Sequence, residues 1–137
     1  MMHCGLLGQK LSHSYSPAIH ASLGDYEYKL YETEPGDVEA FLRGGSFDAL
    51  NVTIPYKKRA AALCDELSET ARAIGSVNTI VRRPDGTLYG DNTDVYGFEE
   101  LLRRAVFSPR SKKVLVLGSG GASAAVVYAL KKMQAEE

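Results

Sequence analysis

Residues 114–123 read Val-Leu-Val-Leu-Gly-Ser-Gly-Gly-Ala-Ser, an apolar run that leads through a glycine turn into a helical sequence. A strand, a glycine turn and a helix in this order favour a nucleotide-binding βα unit. Gly118 can supply the tight turn and Gly120 lets the backbone approach a pyrophosphate, while the N–H groups at the helix start attract the anion. Ser123 replaces a third glycine, which a small residue tolerates. A turn that needs glycine for its geometry alone is the alternative.

This βα unit is too short to fold as a domain of its own. Only the predicted strand 113–117 and the helix 122–133 follow the polar linker 108–112, and two elements cannot bury a core. The residue that separates NAD from NADP binding stands roughly 20 positions after the first glycine, and the sequence stops at Glu137 before that point. We therefore expect a part of a longer protein. The open edge of a lone strand favours association, so a monomer or a homodimer is expected.

Short strands and helices alternate over the residues before this unit. Apolar runs and alternation predict strands over 3–8, 26–33, 48–53, 77–82 and 87–89. Helix signals predict a start at Ser16, as an N-cap followed by proline, a start at Pro35, and helices over 55–64, over 67–74 and after Asp94. Strands that alternate with helices indicate an α/β fold.

Composition excludes several classes of function. The net charge is −1, from 16 basic and 17 acidic residues, so the chain lacks the basic field of nucleic-acid-binding proteins. No apolar run approaches the roughly 20 residues that span a bilayer, and the N-terminus lacks the features of a signal peptide. The two cysteines, Cys4 and Cys64, have no metal-ligand spacing. We therefore expect a cytoplasmic protein with reduced cysteines and without a metal, a membrane span or a nucleic-acid partner.

Two serines near the N-terminus form the first candidate site. Side chains two residues apart in an extended segment point the same way, so Ser14 and Ser16 can both bond adjacent oxygens of a polyol or a carboxylate. The alternative, which the spacing alone favours, is that Ser16 caps the helix and Ser14 is a loop residue.

A lysine and an aspartate at helix starts form the second candidate site. Lys57 follows Asn51-Val52-Thr53-Ile54-Pro55-Tyr56 in the first turn of its helix, where a cation meets the positive end of the helix dipole. Asp94 follows Gly90-Asp91-Asn92-Thr93. A carboxylate beside an ammonium is the minimal dyad for moving a proton to or from a hydroxyl or carbonyl oxygen. The alternatives are a solvated lysine and an N-cap at Thr93 or Asp94.

Taken together, these segments resemble the shikimate dehydrogenase family. The resemblance covers nearly the whole chain, through residues 14–17 with His20, 51–57, 75–79, 90–94 with Gly97, and 118–123. It implies a three-layer α/β/α domain with a mainly parallel sheet, followed by the first βα unit of a Rossmann-type domain. The expected parts are a substrate-binding catalytic domain over 1–95, and a linking helix with the start of the NADP-binding domain over 96–137. Gln9-Lys10 replaces the family's usual Asn-Pro.

The resemblance also implies roles for individual residues. Ser14 and Ser16 would bind the substrate carboxylate. The ring hydroxyls would contact Thr53, Asn78 and Asp94, with Lys57 between them, and Lys57 and Asp94 would be the catalytic pair. The dinucleotide phosphates would lie against Gly118, Ser119, Gly120, Gly121, Ala122 and Ser123, with Glu69 near the cofactor. His13 and His20 have no metal-ligand partner and are expected to be structural.

The reaction that the resemblance implies is the reversible reduction of 3-dehydroshikimate to shikimate by NADPH, in aromatic amino-acid biosynthesis. NADP rather than NAD follows from the resemblance alone. A dehydrogenase that also accepts quinate, and a non-catalytic substrate-binding fragment, are the alternatives. The 137-residue chain by itself is expected to be inactive.

Overall fold

A computed structural model describes residues 1–136, which a six-stranded sheet organises. The strands are β1 (His3–Gly8), β2 (Glu27–Glu32), β3 (Ala49–Val52), β4 (Glu66–Leu67), β5 (Thr79–Arg82) and β6 (Leu88–Asp91). Their order across the sheet is β2-β1-β3-β5-β6-β4. The pairs β1–β2, β1–β3 and β4–β6 are parallel, whereas β5 runs antiparallel to both β3 and β6. The prediction of a mainly parallel sheet is confirmed.

Helices lie on both faces of this sheet. In the described residues they are α1 (Ser16–Ala21), α2 (Val38–Gly44), α3 (Lys57–Leu63), α4 (Glu69–Ile74), α5 (Asp94–Arg104) and α6 (Gly121–Lys132). One face of the sheet packs against buried side chains of α2, α3 and α4, among them Val38, Leu42, Ala60 and Ala71. Strand side chains alternate between the two faces of a sheet, so Tyr28 lies on the opposite face from Tyr31, which packs against the core. On the face of Tyr28, the His20 ring of α1 stacks on the Tyr28 ring with 3.8 Å between ring centroids. The layers are therefore helix, sheet and helix, as predicted.

Both cysteines are free and belong to this packed domain. Cys4 is buried in β1, and burial is the main cause that raises the pKa of its thiol. Burial likewise raises the pKa of the Cys64 thiol to about 11. A thiol with a raised pKa stays protonated near neutral pH and reacts slowly. The two cysteines therefore act as small apolar side chains, in agreement with the expectation that they are reduced.

A smaller apolar cluster joins the last two helices to the sheet domain. Val95 of α5 packs with Ala125 and Ala129 of α6, and Ile74 at the end of α4 completes the cluster. This packing holds the N-terminus of α6 next to the first residues of α3. No helix within residues 1–136 is long and apolar enough to cross a membrane.

The strand predicted over 113–117 is wrong. Lys113 forms one isolated parallel bridge to Glu136, and the residues that follow it have no strand partner. Leu115 is 82% exposed and Leu117 is 87% exposed. A strand exists only as part of a hydrogen-bonded ladder, and the described part of the chain offers this apolar run no neighbouring strand. Of the predicted βα unit, only the glycine turn and helix α6 are formed.

Several helix starts also differ from the predictions, and α3, predicted from residue 55, begins at Lys57. Tyr15, not Ser16, occupies the N-cap position of α1, and no side chain caps that helix. Helix α2 begins at Val38 instead of Pro35, after a turn. Leu67, predicted as helical, pairs with β6 as part of β4, and α4 starts two residues later because the Ser68 hydroxyl accepts a capping hydrogen bond from the Ala71 N–H.

Candidate active site

The polar residues singled out in the sequence lie at one edge of the sheet. β1 and β3 are parallel and end at this edge. β5 runs the other way and starts here, since Asn51 pairs with Thr79, and β6 ends here, since Thr79 pairs with Asp91. The carboxyl edge of such a sheet is where α/β proteins bind ligands. The fold thus places the loop after β1, the turn after β3, Asn78 and the start of α5 around one region.

Lys57 and Asp94 form an ion pair at this edge. Lys57 is the first residue of α3 and Asp94 is the first residue of α5. The Lys57 Nζ lies 2.6 Å from Asp94 Oδ2, with side chains 18% and 32% exposed. The predicted contact is present, and the alternative of a solvated lysine is wrong. Thr93 occupies the N-cap position of α5, but its own hydroxyl accepts no capping hydrogen bond from the described residues of this helix.

The amide of Asn78 holds the second oxygen of the aspartate. Asn78 Nδ2 donates to Asp94 Oδ1 at 2.9 Å and to Thr93 Oγ1 at 3.0 Å. Its Oδ1 accepts from the Thr93 N–H at 3.0 Å. Both carboxylate oxygens of Asp94 are therefore engaged, and the carboxylate orients the ammonium group. An ammonium has three donors, so Lys57 keeps donors for an oxygen atom of a ligand.

Asn92, whose side chain has no predicted role, links the backbones that carry this pair. Its Nδ2 donates to the Ser76 carbonyl oxygen and its Oδ1 accepts from the Asp94 N–H, each at 3.0 Å. Val77, the residue after Ser76, donates its N–H to the carbonyl oxygen of Lys57 at 2.9 Å. Asn92 is only 3% exposed. The relative position of the two helix starts therefore depends on one buried amide.

Replacing Asn92 with leucine is expected to destabilise the chain by about 2–3 kcal/mol. Leucine has a similar volume, but it leaves the Ser76 carbonyl and the Asp94 N–H buried without a partner, and each lost bond costs about 1–1.5 kcal/mol. Urea denaturation followed by circular dichroism measures the change. A loss below about 0.5 kcal/mol, the level of an ordinary surface substitution, would show that the amide does not hold these backbones.

Ser14, Ser16 and Thr53 line a separate cavity of about 560 Å³. The Ser14 hydroxyl oxygen accepts a hydrogen bond from the Ser16 N–H at 3.2 Å, so the turn itself orients this hydroxyl. The other lining residues are Leu6, Lys10, Leu11, Ser12 and His13. His13 is exposed and lines this cavity, which does not fit its predicted structural role. His20, in contrast, bonds the Tyr26 hydroxyl at 2.7 Å and stacks on Tyr28, as a structural residue does.

The glycine turn lies directly against Lys57. A Cβ placed on Gly121, the first residue of α6, would lie 3.7 Å from Lys57 Cδ and 4.0 Å from Ser76 Oγ. Gly120 and Gly121 line a cavity of about 200 Å³ with Ile54, Pro55, Lys57 and Lys58. Ser76 Oγ is buried and has no hydrogen-bond partner within residues 1–136. Two lysines, an unpaired hydroxyl and free helix N–H groups are suited to an anionic group, so the residues present fit the phosphates of a dinucleotide.

A sequence comparison places the chain among known proteins. The pattern of the shikimate dehydrogenase substrate binding domain matches residues 6–80, more than half of the chain. The chain belongs to the shikimate dehydrogenase family. A curated relative from Rubrobacter xylanophilus, shikimate dehydrogenase (NADP(+)), is 45% identical over 134 residues, which cover 92% of this chain and 47% of the relative. The chain thus spans about half the length of the curated relatives that it matches.

Solved structures of this family have the same fold. Shikimate dehydrogenase 1 from Peptoclostridium difficile matches with a TM-score of 0.92 and 35% identity, over 100% of this chain and 53% of that one. The Thermus thermophilus enzyme, solved in complex with NADP(H) and shikimate, matches with a TM-score of 0.89 and 37% identity, over 99% of this chain and 54% of that one. These matches confirm the predicted fold class.

For a member of this family, the six residues predicted at the substrate fall into two groups. Ser14, Ser16 and Thr53 line the larger cavity, whereas Lys57, Asn78 and Asp94 form the ion-pair network and do not line that cavity. Thr53 connects the groups, because it lies four residues before Lys57 and its carbonyl oxygen accepts from the Tyr56 N–H at 2.9 Å.

The six residues predicted at the phosphates lie together, but Glu69 lies apart from them. Gly118, Ser119 and Gly120 precede α6, and Gly121, Ala122 and Ser123 form its first turn, with the Ser123 hydroxyl donating to the Gly120 carbonyl at 2.7 Å. Glu69 starts α4 and acts electrostatically on Lys132, whose pKa is raised mainly by a hydrogen bond to Glu99. Lys132 ends α6, so the structure does not bring Glu69 to the glycine turn.

Sequence reasoning also missed a tyrosine that interacts with Ser16. The Tyr28 hydroxyl donates to Asn51 Oδ1 at 2.8 Å. Burial raises its pKa to about 12, and a hydrogen bond with Ser16 opposes that rise. Tyr28 therefore stays a neutral donor near pH 7. The alternating residue pattern around Tyr28 predicts the strand β2, but no signal in the sequence points to a contact of Tyr28 with Ser16.

Proposed function

We propose that this chain is the substrate-binding half of an NADP-dependent shikimate dehydrogenase, which reversibly reduces 3-dehydroshikimate to shikimate. The observation that carries the proposal is the 2.6 Å contact between Lys57 and Asp94 at the carboxyl edge of the sheet. Residues 1–95 form the substrate-binding catalytic domain, and residues 96–137 form the linking helix and the start of the NADP-binding domain. Family membership and the names of the relatives support this assignment of substrate binding and NADP binding to two parts of the chain.

The proposed chemistry at the pair is proton transfer. When bound, NADPH supplies the hydride that reduces the C3 carbonyl carbon of the substrate. Lys57 donates a proton to the carbonyl oxygen as the hydroxyl forms, and it accepts that proton in the reverse direction. Asp94, fixed by Asn78, keeps the lysine beside that oxygen and balances its charge. The ammonium also stabilises the negative charge that develops on the oxygen.

Other residues hold the reactants in this proposal. Ser14 and Ser16 bind the carboxylate of the substrate, and Thr53 and Asn78 contact its ring hydroxyls. The cofactor phosphates lie against residues 118–123, at the start of α6. The free cysteines fit the reducing cytoplasm, where we place the complete enzyme as a monomer or a homodimer.

The test is a titration of the ¹⁵N-labelled chain with shikimate, followed by NMR. We expect weak binding, with shift changes concentrated at Ser14, Ser16, Thr53, Lys57 and Asp94, and no reduction of NADP by the chain alone. Cyclohexanecarboxylate, which has the acid without the ring hydroxyls, is the control ligand and should bind more weakly. Shifts scattered over the surface, or none at saturating shikimate, would contradict the assigned substrate site.

A further inference from the structure

We infer that Lys10 supplies the positive charge that holds a carboxylate ligand in the cavity of Ser14 and Ser16, and so determines its preference for acids over uncharged polyols. The inference rests on the proposed substrate site and adds a specificity-determining residue to it. Sequence reasoning assigned the carboxylate to the two serines alone.

The charges around this cavity carry the inference. Among the described residues that line it, Lys10 is the one side chain with a permanent charge, and none is acidic. The side chains that line the cavity therefore carry a net positive charge, and a cavity of one sign attracts a ligand of the other.

The ammonium group of Lys10 is also free to reach a ligand. Within residues 1–136, Lys10 forms no ion pair and no side-chain hydrogen bond. Glu32 is the acidic residue bound to this loop, and its Oε1 accepts from the Leu11 N–H at 2.6 Å. That bond fixes the loop, and within residues 1–136 Glu32 forms no ion pair with Lys10. An exposed lysine with a flexible stem can move over the cavity mouth without breaking an existing contact.

The serines alone give little preference for a charged ligand. Their hydroxyls donate to any oxygen, whether it belongs to a carboxylate, an ester or an alcohol. A hydrogen bond between ionised groups is roughly twice as strong as a neutral one. Lys10 should therefore matter for the acid and not for an uncharged analogue of the same shape, and salt should weaken its effect.

The experiment compares shikimate with its uncharged methyl ester. Both ligands are titrated by NMR into the wild-type chain, into Lys10→Gln, and into Lys113→Gln, which removes the same charge from an exposed residue outside the cavity. We expect Lys10→Gln to weaken shikimate binding about three- to fivefold at low salt and to change ester binding less than about twofold. Lys113→Gln should leave both affinities unchanged.

Each outcome of this experiment either supports or overturns the role of Lys10. An unchanged affinity of Lys10→Gln for shikimate, or an equal loss for acid and ester, would overturn the role of Lys10 and leave the proposed function standing. If Lys113→Gln weakened shikimate binding as much as Lys10→Gln, the effect would come from net charge alone, and the role of Lys10 would be overturned as well. A wild-type chain that binds neither ligand would overturn both this inference and the proposed function. Lys10→Arg, which keeps the charge, should restore most of the affinity for shikimate.

Discussion

Replacing Lys57 with alanine is expected to lower kcat of an intact enzyme that carries this substrate-binding half by roughly 10²- to 10⁴-fold. The reason is that alanine removes both the proton donor and the positive charge beside the developing oxyanion. Shikimate should bind almost as well, since Ser14 and Ser16 would still hold its carboxylate and Thr53 and Asn78 would still contact its ring hydroxyls. Steady-state oxidation of shikimate, followed by NADPH absorbance, gives kcat and KM separately.

Lys29→Ala is the matched control for this measurement. Lys29 is 56% exposed on β2 and pairs with Glu27, so the change removes one lysine without touching the site. It should leave kcat within about twofold of wild type. Near-wild-type turnover of Lys57→Ala would end the assignment of the Lys57–Asp94 pair. A large rise in KM at unchanged kcat would show that Lys57 binds substrate without moving a proton.

Elements with a strong local pattern could be predicted from the sequence. β1 appears with its predicted bounds, because an apolar run closed by glycine is typical of a buried strand. The hairpin of β5 and β6 follows from the turn sequence Pro84-Asp85-Gly86. In these cases the residues that determine the structure are neighbours in the chain.

Elements that depend on a distant partner could not be predicted in the same way. β4 has two residues and exists because β6 lies beside it. The run 113–117 has a stronger strand pattern than β4, but no strand lies beside it in the described residues. Local pattern measures how well a segment suits a strand, whereas the ladder requires a second segment at hydrogen-bonding distance.

In the candidate site, too, some features follow from the local sequence and others depend on residues that are distant in the chain. The spacing of Lys57 and Asp94 from their helix starts predicted a dyad, and the fold brings the two together. The function of Asn92 as a link between backbones is visible only once the Ser76 carbonyl and the Asp94 N–H are placed. Lys10 likewise resembles any solvated lysine until the cavity next to it is described.

Replacing Gly5 with alanine is expected to destabilise the chain by about 3 kcal/mol or more, a large share of the 5–15 kcal/mol that stabilises most domains. Gly5 lies in the middle of β1, between β2 and β3. A Cβ at this position would collide with the backbone oxygen of Lys29 and with the ring of Tyr31. Neither can move cheaply, since the oxygen belongs to the paired strand and the ring packs on Phe41 at 5.0 Å.

Gly97→Ala is the control, and it should act in the opposite direction. Gly97 lies inside α5, and a Cβ there would meet no atom within 4 Å. Alanine lowers the backbone entropy of the unfolded chain, so we expect this variant to gain up to about 1 kcal/mol. Urea denaturation of both variants provides the comparison. Equal stabilities would mean that the β1–β2 ladder opens to admit a methyl group, and that the close packing at Gly5 contributes nothing to the stability of the sheet.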